Sequence, residues 1–166
     1  RQFEQLIIWL TEAGYVHYEI SNFAKPGHFA VHNSSYWQTE PYLGVGPSAH
    51  SFNGHSRQWN IANNAKYLSA VTQWGATGEL DGSGKQPLFE LEVLSPTNQY
   101  NELVMTGLRT IWGVDADRLV QPYKDHFLKN IHQFVNTGHV VNKNKKYVLS
   151  PAGRLLADGI ASDLFF

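Results

Sequence analysis

His32-Asn33-Ser34-Ser35-Tyr36-Trp37 sets an imidazole, a carboxamide and two large rings within six residues. A neutral imidazole is an ordinary axial ligand of haem iron, and flat aromatic faces can stack on a planar macrocycle. Asn33 is able to orient the His32 ring by a hydrogen bond. The same residue types also serve as a capping or surface histidine beside core aromatics, and the sequence leaves both readings open. His28 stands four residues before His32, a spacing that on a helix puts two imidazoles on one face for a metal. Lys25-Pro26-Gly27 just ahead makes this stretch a loop instead, and a zinc site needs a third ligand. A second concentration follows at Gly44-Val45-Gly46-Pro47-Ser48-Ala49-His50, where small residues permit close backbone approach to a ligand. Arg57 and Lys25 can hold carboxylates such as porphyrin propionates; a solvated surface charge is the alternative of equal weight. Glu19 is either ligand-facing or an ion-pair partner. Met105 could ligate iron, yet it stands mid-helix in an apolar pattern and is expected to pack.

These residues need elements to hold them. Phe3, Leu6, Ile7 and Leu10 recur at helical spacing, and Gly14 supplies the stop. Alternation over residues 15–21 then puts Val16, Tyr18 and Ile20 on one strand face and His17, Glu19 and Ser21 on the other. A loop is expected through His32–Trp37, and a short apolar strand over residues 42–46. Asn53-Gly54 is a two-residue hairpin signal between residues 51–52 and 56–59. Asn60 or Asn63 caps a helix whose inner face is Leu68, Val71 and Trp74, closed at Gly75. The glycine-rich stretch 78–85 marks a boundary, and residues 89–94 form a short strand. Ser95-Pro96 opens a helix running to about Trp112, with Tyr100, Val104, Leu108 and Ile111 inward. Asp115 caps a brief helix through Leu119. A longer helix buries Tyr123, Phe127, Ile131 and Phe134 and stops at Gly138. A β-hairpin turns at Lys143-Asn144-Lys145, and Ser150-Pro151 starts a last helix lined by Leu155, Leu156, Ile160 and Leu164. The expected class is α+β or α/β, with three helices, a hairpin wing and a final helix forming a winged-helix-like module.

Composition narrows the possibilities. With 166 residues, 42% hydrophobic and 16% charged, the chain can bury a real core. A net charge of −1 gives no global basic field for nucleic acid. Lys143, Lys145 and Lys146 are the only basic cluster, and Asp125 on the would-be recognition helix argues against such contact. No apolar run is long enough for a membrane span, and no signal peptide is present, so a cytoplasmic location is expected. The absence of cysteine excludes thiolate-held metals and clusters within these residues. Arg1 stands inside a helical pattern, which suggests a piece of a longer protein.

Five motifs occur in order: Tyr18-Glu19-Ile20-Ser21-Asn22-Phe23-Ala24, His32-Asn33-x-x-Tyr36-Trp37, Tyr42-Leu43-Gly44-x-Gly46-x-x-Ala49-His50-Ser51, Arg57-x-x-Asn60 and Glu102-x-x-Met105-x-Gly107-Leu108-Arg109. Together they resemble the radical-SAM haem chaperones of HemW type, a family also described as oxygen-independent coproporphyrinogen III oxidase-like. The resemblance covers essentially the whole chain but only the C-terminal part of such a protein. It implies the remnant of an incomplete, TIM-like βα barrel over residues 1–80, a linker or strand over 81–94, and a winged-helix-like domain over 95–166. By resemblance, His32, Asn33, Tyr36 and Trp37 contribute to haem binding, with His32 the candidate iron ligand. Gly44, Gly46, Ala49 and His50 would lie near S-adenosylmethionine, and Arg57 would meet a substrate carboxylate. The family's [4Fe–4S] cluster and S-adenosylmethionine would belong to the full-length protein, the chain alone being inactive with no catalytic residue. The implied partners are haem or porphyrin and a recipient apo-haemoprotein. The rival readings are a true coproporphyrinogen III oxidase, which decarboxylates propionates, and a nucleic-acid-binding winged helix.

Overall fold

Serine or asparagine ahead of a helix, and glycine behind one, punctuate most of this chain, and the computed structural model shows where they act. It describes residues 2–77 and 88–166. In order come α1 (Gln2–Glu12), β1 (Val16–Glu19), β2 (Asn22–Ala24), α2 (Val31–Trp37), β3 (His50–Phe52), β4 (Ser56–Asn60), α3 (Asn64–Thr77), β5 (Phe89–Val93) and α4 (Pro96–Leu108). Next are β6 (Val114–Asp115), a 3-10 turn (Ala116–Arg118), α5 (Tyr123–Asn136), β7 (Val140–Lys143), β8 (Lys146–Leu149), α6 (Pro151–Arg154) and α7 (Ala157–Asp163). Every strand pairing among the described residues is antiparallel, in sheets β1-β2, β3-β4-β5 and β6-β8-β7.

The chain forms two compact units, one of residues 1–39 with 96–166 and one of residues 40–95. This division differs from the expected one at 81–94. The glycine-rich boundary stretch 78–85 lies outside the described residues, and residues 89–93 are the third strand of a sheet, with Arg57 opposite Glu92.

The first unit holds the main core. Tyr100, Val104 and Leu108 of α4 meet Phe127 and Ile131 of α5, Val140, Tyr147 and Leu149 of the hairpin, and Ile160 and Leu164 at the C-terminal end. The helical positions among these are ones that the sequence marks as inward, because burying one stripe of a helix is what stabilises it, while in β8 Tyr147, Val148 and Leu149 are all buried. Met105 packs against the same cluster, as expected. Asp115 accepts from the Asp117 backbone N–H, and Ser150 from that of Gly153, so both expected caps form. Asn144 and Lys145 turn the hairpin with φ of 53° and 69°. Gly113, at φ 69°, packs so closely that a Cβ would stand 2.4 Å from the Tyr147 carbonyl oxygen.

Several expectations are corrected. α4 ends at Leu108, not Trp112, because the next residues bond to β1: Ile20 N–H donates to the Arg109 carbonyl and Ile111 N–H to the Tyr18 carbonyl, both at 3.0 Å. These bonds pair the edge of β1, and His17, Tyr18 and Glu19 are all buried rather than alternating. The last helix is broken into α6 and α7, which leaves Leu155 and Leu156 exposed. Leu6 of α1 is exposed as well.

In the second unit the Asn53-Gly54 hairpin forms as expected, with Phe52 opposite Arg57. Asn63 is the cap of α3, its Oδ1 accepting from Lys66 N–H at 2.9 Å. The helix continues past Gly75, and Leu68 and Trp74 are exposed rather than inward. No strand runs over residues 42–46. Only Tyr42 bridges to Phe52, and Leu43 and Val45 are exposed.

Candidate functional site

The motif around His32 is helix, not loop. On α2 side chains four apart stand one above the other, so the motif sorts into two faces. His32 and Tyr36 are exposed together, while Asn33 and Trp37 are half-buried. Asn33 therefore does not orient His32 but donates from Nδ2 to the Tyr18 hydroxyl at 3.4 Å. Tyr18 in turn stacks on Phe29 at 4.8 Å between ring centres and meets Trp112 edge-on at 6.2 Å. Trp37 lies under the Arg109 guanidinium at 5.3 Å, a cation–π contact. Tyr36 meets Trp37 edge to face at 5.7 Å.

Arg109 ties this helix to the buried end of β1. Its Nε donates to Glu19 Oε1 at 3.3 Å and its Nη1 to Asp158 Oδ1 at 2.7 Å. The other Glu19 oxygen accepts from Ser21 N–H at 3.0 Å, Ser21 Oγ at 2.9 Å and Asn22 Nδ2. Burial opposes ionisation of Glu19, but these donors and the Arg109 charge outweigh it and hold the carboxyl below its ordinary range. Of the two readings open for Glu19, the ion pair is the one the structure shows. The motif residue Arg109 does this positioning, a role its place in a helix pattern did not signal.

On the far side of Trp37 a cavity of about 180 Å³ opens toward the α4–β6 corner, lined by Thr106, Thr110, Trp112, Arg118 and Lys146 among others. It falls below the roughly 300–1,000 Å³ of ordinary small-molecule pockets, so an entire macrocycle does not enter it.

Gly44, Gly46, Ala49 and His50 form one turn in the second unit, with Arg57 on β4. A Cβ on Gly44 would stand 2.1 Å from the His50 carbonyl oxygen, so its own chain, not a ligand, requires this glycine. Asn60 Nδ2 donates to the Gly46 carbonyl at 2.9 Å and Asn60 N–H to that of Ala49 at 2.9 Å. Gly46 takes φ 107° with nothing within 4 Å of a built Cβ. His50 is exposed beside Trp59, at 6.3 Å. The Arg57 guanidinium lies 5.8 Å from the Phe52 ring. Lys25 is turned back in the first unit: its ammonium donates to the Ala13 carbonyl and sits over the Tyr15 ring. His28 lies before the helix that carries His32, so the two do not share a helical face. Among the described residues no group of three His, Asp or Glu side chains is placed to hold a metal ion.

Residues 94–156 match the family model of the HemN C-terminal domain. The chain is 28% identical over 162 residues to the heme chaperone HemW of Lactococcus lactis, covering 95% of this chain and 40% of that protein. It is 39% identical over 114 residues to the mitochondrial radical S-adenosyl methionine domain-containing protein 1 of Bos taurus, covering 63% of this chain and 23% of that one. Among solved structures, coproporphyrinogen III oxidase (HemN) from Escherichia coli, a radical SAM enzyme, superposes with a TM-score of 0.64. The identity there is 20%, over 97% of this chain and 39% of that one, and the likeness is one of fold. The chain thus spans about 40% of the length of the curated relatives it matches along most of its own length.

Proposed function

The chain belongs with the C-terminal part of the HemW/HemN-type radical SAM proteins, and on that premise we propose that it presents the haem-binding helix of a haem chaperone. One observation carries the reading: α2 displays His32 and Tyr36 outward while Asn33 and Trp37 fasten it to Tyr18 and Arg109. A ligand histidine on the solvent-open face of a helix anchored by Asn33 and Trp37 suits a protein that must give its haem away. The donor set fits the group, since His32 offers a ring nitrogen and Tyr36 an aromatic face beside it. Haem bound there would supply the iron that His32 ligates, and Asn33 and Trp37 would act by holding the helix.

In this reading the whole protein passes haem to an apo-haemoprotein in the cytoplasm. Its S-adenosylmethionine and [4Fe–4S] cluster are cofactors of the full-length form, the thiolate ligands coming from outside these cysteine-free 166 residues. Gly46, Ala49 and His50 are assigned to the S-adenosylmethionine side and Arg57 to a carboxylate contact, a reading with which the open space at Gly46 is consistent. The order α4, α5, hairpin β7–β8 and α6–α7 supports a winged-helix-like domain over residues 95–166, whereas the barrel remnant expected over residues 1–80 is divided between the two compact units.

Titration with haem, followed in the Soret band, tests this. The wild-type chain is expected to give a saturating shift that His32→Ala removes or moves to the position of free haem. An unchanged Soret spectrum on that substitution removes His32 as the ligand.

A further inference from the structure

The cavity beside Trp37 joins two features that the haem helix does not explain. The indole Nε1 of Trp37 is buried and has no hydrogen-bond partner among the described residues. A buried donor left unpaired is costly, and such a group calls for an acceptor. The same cavity is lined by Arg118 and Lys146, two exposed cations whose side chains have no partner among the described residues. The neighbouring lysines differ: Lys124 and Lys145 are both paired with Asp117 at 3.0 Å. The one carboxylate lining the cavity, Asp115, has one oxygen engaged by the Asp117 backbone N–H, so a single negative charge faces the two cations. Two cations against one carboxylate, with one unpaired buried N–H, leave the lining of this roughly 180 Å³ cavity with a net positive charge and a donor in need of an acceptor.

We propose that this cavity is an oxyanion site that takes a small carboxylate, with Trp37 Nε1 as the buried donor and Arg118 and Lys146 as its cations. The carboxylate has two possible sources, a free small acid or a side chain of the porphyrin carried by α2. Only the second rests on the haem reading. Arg118 supplies a planar fork suited to two carboxylate oxygens, and Lys146 a point charge. The threonine hydroxyls of Thr106 and Thr110 already donate to the Glu102 and Gly107 carbonyls, which leaves the donor role to the indole.

The test follows the indole N–H resonance of Trp37 in heteronuclear spectra of the full chain, assigned by its loss in Trp37→Phe. Sodium propionate is titrated at constant ionic strength against sodium chloride, on wild type, Arg118→Ala and Lys146→Ala. The expected result is a saturable shift with propionate only, weakened about tenfold in Arg118→Ala. A resonance that ignores propionate, or answers chloride equally, overturns the proposal. A shift that survives both alanine substitutions unchanged also overturns it. A second arm compares haem with haem dimethyl ester. A shift with haem that the ester fails to give assigns the carboxylate to the porphyrin. Equal behaviour of the two assigns the site to a free acid, whatever the Soret titration of His32→Ala shows.

Discussion

At the scale of single residues, a carboxylate and an imidazole, Glu19 and His17, are buried together on β1. Glu19 has a fully buried side chain, and its charge is sustained by Arg109, Ser21 and Asn22. Removing one partner of such a pair leaves the rest desolvated, so Glu19→Ala is expected to cost about 3 kcal/mol in urea denaturation. Acid should reveal the same group. Its folded carboxyl titrates below the ordinary value of 4.5, so its contribution is intact above that pH and is lost as pH falls through the folded value. His17 adds an earlier loss. Burial, together with the Arg154 charge, outweighs the Nε2 contact with the Ile20 carbonyl at 2.8 Å and the Glu19 charge, and lowers its pKa from 6.5. The unfolded chain therefore takes up a proton first, and stability declines as pH drops below 6.5. Denaturation midpoints are expected to fall in two stages on acidification, the first absent in His17→Gln and the second in Glu19→Gln. A midpoint flat between pH 7 and 5 in the wild type would contradict this.

Among the elements, the glycine turn ahead of β3 and the short helix α2 behave unlike their sequence. Gly44 is required by the His50 carbonyl, whereas Gly75 in α3 has no heavy atom within 4 Å of a built Cβ. Gly44→Ala should therefore destabilise by about 2 kcal/mol and Gly75→Ala stabilise by about 0.5 kcal/mol, measured by thermal unfolding. Equal effects would show that the turn adapts. Where a local signal decides, the sequence is legible: Asn53-Gly54 makes its hairpin, Ser150 caps before Pro151, and Phe127 and Ile131 go inward by helical spacing. α2 was not legible, because Pro26-Gly27 precedes it and its apolar positions are too few to show a period. The end of α4 was not either, since its length is set by backbone bonds to β1, a partner about 90 residues away in sequence. For the candidate site, the four motif residues His32, Asn33, Tyr36 and Trp37 all fall on α2. Only the geometry separated the outward pair from the anchoring pair and disclosed Arg109 as the tie.

At the scale of the whole molecule, a net charge of −1 and the pairing of Lys145 and Lys124 with Asp117 leave little basic surface for a polyanion. Fluorescence anisotropy with duplex DNA at physiological salt is expected to show binding weaker than about 1 μM, and tighter binding would favour a nucleic-acid function instead. In the proposed function, one histidine on the open face of one short helix acts as the haem ligand. The measurement that reaches it most directly is a parallel Soret titration of His28→Ala, His32→Ala and His50→Ala against the wild type. The first and last are expected to retain the wild-type spectrum and affinity while His32→Ala loses both. Loss in His28→Ala or His50→Ala with His32→Ala unaffected would contradict it.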